Sequence, residues 1–517
     1  MTLASQLPAL QVVVPLLCAP LVAMLRPKDL AWAAATATSA MTFAIAVALT
    51  MSALDGGAGG NVLRYDMGGW PAPYGIELVI DSLSALVLLL ITGSSTVALL
   101  IARRSIAADM EPHRQPLFYA AWLTAVAGLA GIAVSGDAFN VFVFMEISSL
   151  ATYVLIAGGP DRQALTAVFK YLIMGTVGAT FYLIGVGLIY MMTGTLNFAD
   201  MQARIGDVTE PGPVLLAAGF VTVGLALKAA VFPLHVWLPN AYAFAPHAVT
   251  AFIAASSTKV ALYVLLRFDF VVFQVDLQAH AAQFASFVLP LAVAGVLFGS
   301  AIALFETNLK RMLGYSSVAQ IGYIILGASL LDRAGLTAGV LHMFNHALAK
   351  GTLFLAVALM ARQVLSFDMI HLNGIGRRMP WTMGAFALAA ASLVGIPGTA
   401  GFISKWYLVS AAFAHGQWGI ALVVVIVVSS LLAVAYLWRV LEPAYFGTPL
   451  ETAGPGSEAP LGPLLVLWAA ALANVFYGLA PDLPLSLAGN AASLLLDPVG
   501  IGAADLLPPA SPTGAAP

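Results

Sequence analysis

The chain has 517 residues, of which 61% are hydrophobic and only 9% charged, with a formal net charge of -3. A soluble globular chain carries roughly 25% charged residues, so this inventory cannot cover a water-facing surface of that size, and the sequence is that of an integral membrane protein. No basic block offers a nucleic-acid footprint, and one cysteine, Cys18, excludes an internal disulfide framework and a Cys-ligated cluster.

Only helices and closed barrels satisfy their backbone in lipid. Barrel strands alternate over ~10 residues, whereas uncharged apolar runs of about twice that length recur here, as from Trp418 to Trp438. The N-terminal apolar stretch lacks the basic region and cleavage site of a secretory signal and reads as a retained first helix, with Cys18 as a small buried apolar residue in it. Gly, Pro and charge clusters then punctuate the chain into spans near 6–25, 30–53, 82–102, 116–135, 139–158, 171–193, 213–235, 245–266, 285–305, 312–331, 336–361, 381–414, 418–438 and 460–481. The expected class is an all-α polytopic membrane protein with about fourteen transmembrane helices.

Lys and Arg in short loops favour the cytoplasm. Thirteen lie in loops after odd-numbered spans and four, Arg64, Arg204, Arg267 and Arg333, after even-numbered ones. Both termini are therefore expected on the non-cytoplasmic side of a cell inner membrane, together with the loop holding Asp55, Asp66 and Asp81 and a Pro-rich tail expected to be disordered. Of 21 basic residues, four remain inside spans: Lys228, Lys259, Lys350 and Lys405. An ionisable group at the bilayer centre costs ~2.5–3.5 kcal/mol on insertion scales and marks an ion or proton path.

In chain order, the fifth span carries one acid, Glu146, which either forms a structural ion pair or tunes a mobile proton on a lysine. The seventh holds Lys228 followed by Pro233, so it should be kinked or broken about one turn after the lysine, as in transporters whose interrupted helices host ion sites. The eighth starts with His247, read either as an interfacial cap or as a relay group, and carries Lys259 some three turns on, near mid-membrane unless it snorkels. The eleventh places His342, His346 and Lys350 at i, i+4 and i+8 on one face. That spacing could ligate a metal, but the glutamate of HExxH and a third ligand are missing; a stripe of titratable groups fits proton relay or polar glue between helices. The twelfth is interrupted over Gly395-Ile396-Pro397-Gly398-Thr399-Ala400-Gly401, with Lys405 just beyond. Two distant breaks, each with an intramembrane lysine, suggest two related halves sharing one polar axis.

The stretches Asp137 to Glu146, Lys228 to Pro239, Tyr315-Ser316-Ser317-Val318-Ala319-Gln320-Ile321-Gly322-Tyr323 and Gly395 to Lys405 resemble the proton-translocating antiporter-like subunits shared by respiratory complex I, membrane-bound hydrogenases and Mrp-type cation/proton antiporters. The resemblance runs from about Tyr65 to Arg439. Within that superfamily, Gly68 to Ile76 and Thr258 to Tyr263 look most like the D-type subunits of Mrp antiporters. It implies two inverted five-helix repeats with broken helices 7 and 12, at 111–270 and 271–445, preceded by helices 1–3 (1–110) and followed by a helix 14 region (446–507) and a tail (508–517). It also implies that Glu146 and Lys228 form the coupled acid/lysine pair, Lys259 the relay lysine and Lys405 the terminal lysine, while His342, His346 and Lys350 bridge the halves. His247 departs from the small residue expected at its position.

The implied function is the proton-translocating subunit of a multisubunit Na+/H+ antiporter, with other membrane subunits as partners; the alternative is an antiporter-like subunit of complex I or a related hydrogenase. No P-loop, dinucleotide fingerprint, Cys cluster or haem-ligating pair is present, so no cofactor or metal is expected, and any redox chemistry would belong to partners. A passive scaffold and a solo solute transporter are the competing classes.

Overall fold

A computed structural model describes residues 3–55, 60–274, 278–448 and 457–497. The expected disordered tail, 508–517, lies outside them.

Almost every element is a helix, because a backbone in hydrocarbon must pair its own N–H and C=O groups. The order is α1 (Leu7–Ala23) and α2 (Lys28–Leu54), then a small hairpin of β1 (Leu63–Asp66) and β2 (Glu77–Ile80). Next come α3 (Ser82–Asp109), α4 (Gln115–Val134), α5 (Ala138–Ala157), α6 (Gln163–Thr193), the short α7 (Phe198–Ile205) and α8 (Pro211–Ala229). They are followed by α9 (Leu238–Phe244), α10 (His247–Ala255), α11 (Ser257–Leu266), α12 (Gln278–Phe305), α13 (Leu309–Ser329) and α14 (Arg333–Met360). The C-terminal part comprises α15 (Ile375–Arg378), α16 (Pro380–Val394), α17 (Ala400–Ala414), α18 (Gly419–Phe446), α19 (Leu461–Leu479) and α20 (Asp482–Leu496).

Among the described residues eleven segments are long and apolar enough to cross a membrane, and Leu7–Ala23 and Pro380–Val394 are shorter apolar helices. Burial sorts them: 83% of the apolar window of α14 is buried and 94% of the His247–Val272 segment, against 33% for α18. The first two therefore form the interior, and α14 packs against α3, α10, α13, α16, α17, α19 and α20 at once. The polar residues of α14 are thus held away from lipid.

Several elements were not expected, among them the hairpin, α7, α20 and the short α9 and α15. The hairpin pairs antiparallel, with Leu63 opposite Ile80 and Tyr65 opposite Leu78; α7 starts behind an Asn197 cap whose Oδ1 accepts from Ala199 N and Asp200 N at 3.0 and 3.2 Å; and α20 lies against α14 and α3.

Two basic residues expected in loops are buried instead, and with them Asp81. The eighth span runs past residue 266 into a π-helical turn, Arg267–Val272. Arg267, 7% exposed, forms an ion pair with Asp81, and its guanidinium lies 5.2 Å from the Tyr263 ring centroid. Asp81 itself caps α3, accepting from Leu83 N and Ser84 N at 3.0 Å each. The arginine can extend the helix because its charge is matched in place. Removing one member of a buried pair strands the other, at a cost of about 3–5 kcal/mol, whereas apolar replacement of both is close to neutral. Asp81→Ala is accordingly expected to lower the melting temperature of the purified assembly, and the double variant Asp81→Leu, Arg267→Met to recover most of the loss; a double variant as unstable as the single one would refute a paired role.

Lys310 is the second. It is part of α13, only 2% exposed, and its Nζ donates to Ala245 O at 2.9 Å. A chain-order reading cannot distinguish the last loop residue from the first helical turn, and here the difference is that between a solvated and a buried charge.

Candidate functional site

Three helix interruptions surround the interior. α8 ends one residue after Lys228, at Ala229, and Ala230 turns left-handed with φ 56°. The break therefore comes at the lysine itself, ahead of Pro233, whose peptide bond with Phe232 is cis. The indole of Trp237 donates to the freed Leu227 carbonyl at 2.9 Å and stacks on Tyr171 at 4.2 Å.

Lys228, 8% exposed, donates to Ser149 Oγ at 2.7 Å and lies 3.5 Å from Glu146 Oε1. The two spans thus bring together the predicted acid/lysine pair. Ser149, one turn beyond Glu146 on α5, completes it and was not singled out in the sequence. The Glu146 side chain is 32% exposed, and lies in a stripe with the exposed Phe139, Val143, Leu150 and Val154.

The second interruption has no Gly or Pro. Ser256 separates α10 from α11 with φ -117° and ψ -60°, and its hydroxyl bonds back to Phe252 O at 2.7 Å, a local side-chain alternative to the helical ladder. Lys259, fully buried, donates to the Ala254 carbonyl that the break exposes. Between Lys228 and this break lies a cavity of about 30 Å³ lined by Ser148, Ser149, Lys228 and Ser257. That volume is large enough for one water, and Ser257 Oγ is buried with no protein partner.

The α14 stripe comes next. His346 and His342 stack with centroids 6.3 Å apart and ring planes 8° apart. His342 is held at both nitrogens, Nδ1 at 2.9 Å from Ser404 Oγ and Nε2 at 2.9 Å from Gln320 Oε1. Both nitrogens of His346 are buried without a protein partner. Lys350, 0% exposed, donates to Leu313 O at 2.7 Å and to Ser316 Oγ. Ser316 and Gln320, four apart on α13, face the stripe. Their signal was uncharged polarity at helical spacing within an otherwise apolar span.

The third interruption follows α16, where Gly395 takes φ 93°, a conformation that favours glycine. At Gly401 a Cβ would meet Ser392 O at 1.8 Å, so the two half-helices cross where no side chain fits. Lys405 reaches back across the gap to Leu393 O at 3.1 Å, Val394 O at 2.8 Å and Ser430 Oγ at 3.1 Å. Its Nζ lies 5.1 Å from the Tyr323 ring centroid, and Tyr323 abuts His342 at 5.4 Å.

One discontinuous polar row results: Glu146 and Lys228, then Lys259, then His346, His342 and Lys350, then Tyr323 and Lys405. Among the described residues only Lys228 of the four lysines has a carboxylate within 4 Å; the others rest on carbonyls and hydroxyls. No group of three or more His, Cys, Asp or Glu side chains gathers as a metal site among the described residues. His247 stands apart, with its ring against Phe367 at 5.2 Å and Nδ1 at 3.4 Å from Lys310 Nζ.

Interrupted helices around buried, carbonyl-held lysines define the class as a polytopic membrane protein of the ion-translocating type. Residues 135–433 match the family model described as NADH:quinone oxidoreductase/Mrp antiporter, TM, and the chain belongs to that family. It is 44% identical over 404 residues to the N-type subunit of the NADH-quinone oxidoreductase of Desulforudis audaxviator, covering 78% of this chain and 79% of that one. With the D-type subunit of the Na(+)/H(+) antiporter of Alkalihalophilus pseudofirmus it shares 31% over 388 residues, 75% of this chain and 77% of the relative. Its fold superimposes on a chain of the Mrp complex from Dietzia sp. DQ12-45-1b with a TM-score of 0.88 and 30% identity, covering 97% of this chain and 99% of that one.

Proposed function

We propose that this chain is the proton-translocating, D-type component of a multisubunit Na+/H+ antiporter, a transporter subunit whose own residues carry protons between the two halves of its fold. The observation that carries the reading is the row from Glu146 to Lys405, in which ionisable groups line a helical interior and the lysines other than Lys228 have neutral hosts. Glu146 and Lys228 form the coupled pair, Lys259 relays, His342, His346 and Lys350 bridge, and Lys405 is the terminal site. Lys259 and Lys405, beside the second and third breaks, are held by carbonyls that a continuous helix would have used itself, so each can gain or lose a proton without leaving a partner charge stranded, whereas Lys228 leaves the Glu146 carboxylate behind.

The finer architecture belongs to the same reading. The reading of fourteen crossings takes each interrupted pair, α8 with α9, α10 with α11 and α16 with α17, as one span and sets aside α20 and the short α7 and α15. Two inverted five-helix repeats, 111–270 and 271–445, each contain one such break, flanked by 1–110 and 446–507. Without the buried Lys310 and Arg267, the loop bias in Lys and Arg becomes twelve against three, which supports both termini on the non-cytoplasmic side of the inner membrane. The partly exposed Glu146 requires a protein neighbour, since a carboxylate facing hydrocarbon at mid-span is costly; the α5 stripe is therefore a contact face for another membrane subunit.

The 44% identity with an NADH-quinone oxidoreductase protein supports a second reading, a proton-pumping subunit beside a redox partner. Everted vesicles carrying the complete assembly separate the two. With a preset pH gradient and no electron donor, a sodium pulse is expected to collapse the gradient. Insensitivity to sodium and potassium with donor-driven acidification establishes the second reading, and neither response overturns both.

A further inference from the structure

One titratable group lies off the row. His247 opens α10 at the end of the span, and beside it is a cleft of about 490 Å³ lined by Arg104, Asp109, His247, Arg362 and Glu458 among others. These come from four places in the chain: the end of α3, the start of α10, the residues just past α14, and the approach to α19. All are on the side expected to face the cytoplasm.

The polar groups of the cleft are not equivalent. Glu458 is committed: its carboxylate accepts from Trp381 N at 2.8 Å, Thr382 Oγ1 at 2.5 Å and Ala459 N at 2.8 Å, capping the positive end of α16. Asp109 is not, because its Oδ2 is buried without a partner. Two arginines and two carboxylates balance in the lining, so the cleft does not have the cationic excess that would hold a phosphate headgroup.

Behind the cleft, His247 Nδ1 is 3.4 Å from Lys310 Nζ. Lys310 is anchored on Ala245 O at 2.9 Å. One turn further along the same helix, α13, Leu313 O accepts from Lys350 at 2.7 Å. The helix that carries Lys310 thus also supplies the anchor of the central lysine. The groups facing His247 are Lys310 from α13 and Asp109 and Arg104 from α3, with Arg362 and Glu458 across the cleft.

We infer that this cleft is an aqueous loading vestibule, and that His247 with Lys310 exchanges protons between it and Lys350 in the middle of the buried row. This rests on the proton-translocating reading above. It adds an opening between the halves, so that the row is reached without passing through the Glu146–Lys228 end.

The test uses everted vesicles carrying the whole assembly, in which the cleft faces the bath. His247→Gln and Asp109→Asn keep shape and hydrogen-bonding capacity, and assembly is checked on native gels. His247→Gln is expected to slow proton flux about tenfold, less than a positioned acid–base group contributes in catalysis, and to flatten the dependence of flux on bath pH while the dependence on lumenal pH is kept. Wild-type flux with an unchanged bath-pH profile overturns the inference. If Lys228→Ala also transports normally, the proton-translocating reading falls with it; if Lys228→Ala is inactive, only the vestibule falls.

An independent measurement covers a variant that fails to assemble. In a Cys18→Ala background, Ser105→Cys, on the cleft lining, is expected to react with a membrane-impermeant thiol reagent added to everted vesicles. No reaction in everted vesicles overturns the inference. Reaction only after lipid is stripped in detergent identifies a lipid-filled cleft and equally overturns it.

Discussion

Replacing Lys228 with alanine is expected to reduce proton flux about 100-fold or more, the range associated with losing a positioned proton-transfer group, while the assembly still forms. The more telling variant is Lys228→Arg. An arginine keeps the charge that a structural pair with Glu146 would need and offers more donors for Ser149, but its guanidinium does not release a proton in a protein. A structural ion pair would therefore tolerate it, and a proton carrier would not. Lys228→Arg is expected to assemble at wild-type levels and to be inactive in a gradient-collapse assay on everted vesicles. Glu146→Gln keeps the volume at 3.5 Å from Nζ and removes the counter-charge, so flux should fall by less than in Lys228→Arg. Transport at the wild-type rate by Lys228→Arg would end the carrier role and leave the pair as polar glue between α5 and α8.

The parts of this arrangement that were legible in the sequence share a physical cause. A lysine inside an apolar run is expensive, so Lys228, Lys259, Lys350 and Lys405 stood out without any knowledge of packing. The break just ahead of Pro233 and the one over Gly395 to Gly401 were marked by nearby residues that cannot continue a helix, although the first falls at Lys228 and not a turn beyond it. The interruption at Ser256 was not, because a serine that bonds to its own preceding turn looks like any polar residue in a membrane helix. Lys310 and Arg267 were missed for another reason. Each lies within two residues of an expected span end, where charge ordinarily means water, and only tertiary partners, Ala245 O for one and Asp81 for the other, reveal burial. The serines and glutamine that host the row, Ser149, Ser316, Gln320 and Ser404, carry no charge and so no cost large enough to notice. His247 was visible, but its neighbour Lys310, more than sixty residues away, could be placed beside it only by the fold.

Lys405 presents the opposite electrostatic problem to Lys228, and its substitution is expected to have a comparably large effect. Its ammonium has no carboxylate within 4 Å among the described residues; three neutral oxygens hold it, two of them the last carbonyls of α16. A helix C-terminus carries about half a negative charge, and the Tyr323 face adds a cation–π contribution of about 0.5–2 kcal/mol. When Lys228 gives up its proton, a carboxylate is left behind; when Lys405 does so, only dipoles are. The terminal position can therefore empty at lower electrostatic cost, as release to the far side requires. Lys405→Met, which fills the same volume without a proton, is expected to reduce flux to about 1% of wild type or less and leave assembly intact, since carbonyls at a helix break can turn to water. Lys405→Arg should also be inactive, because it cannot cycle. The tyrosine separates the contributions further: its hydroxyl is engaged with Ile426 O at 3.2 Å, so Tyr323→Phe keeps the ring and should retain most flux, whereas Tyr323→Leu should lower it severalfold. Flux in Lys405→Met equal to wild type, measured in the same vesicles, would show that protons leave the row before α17.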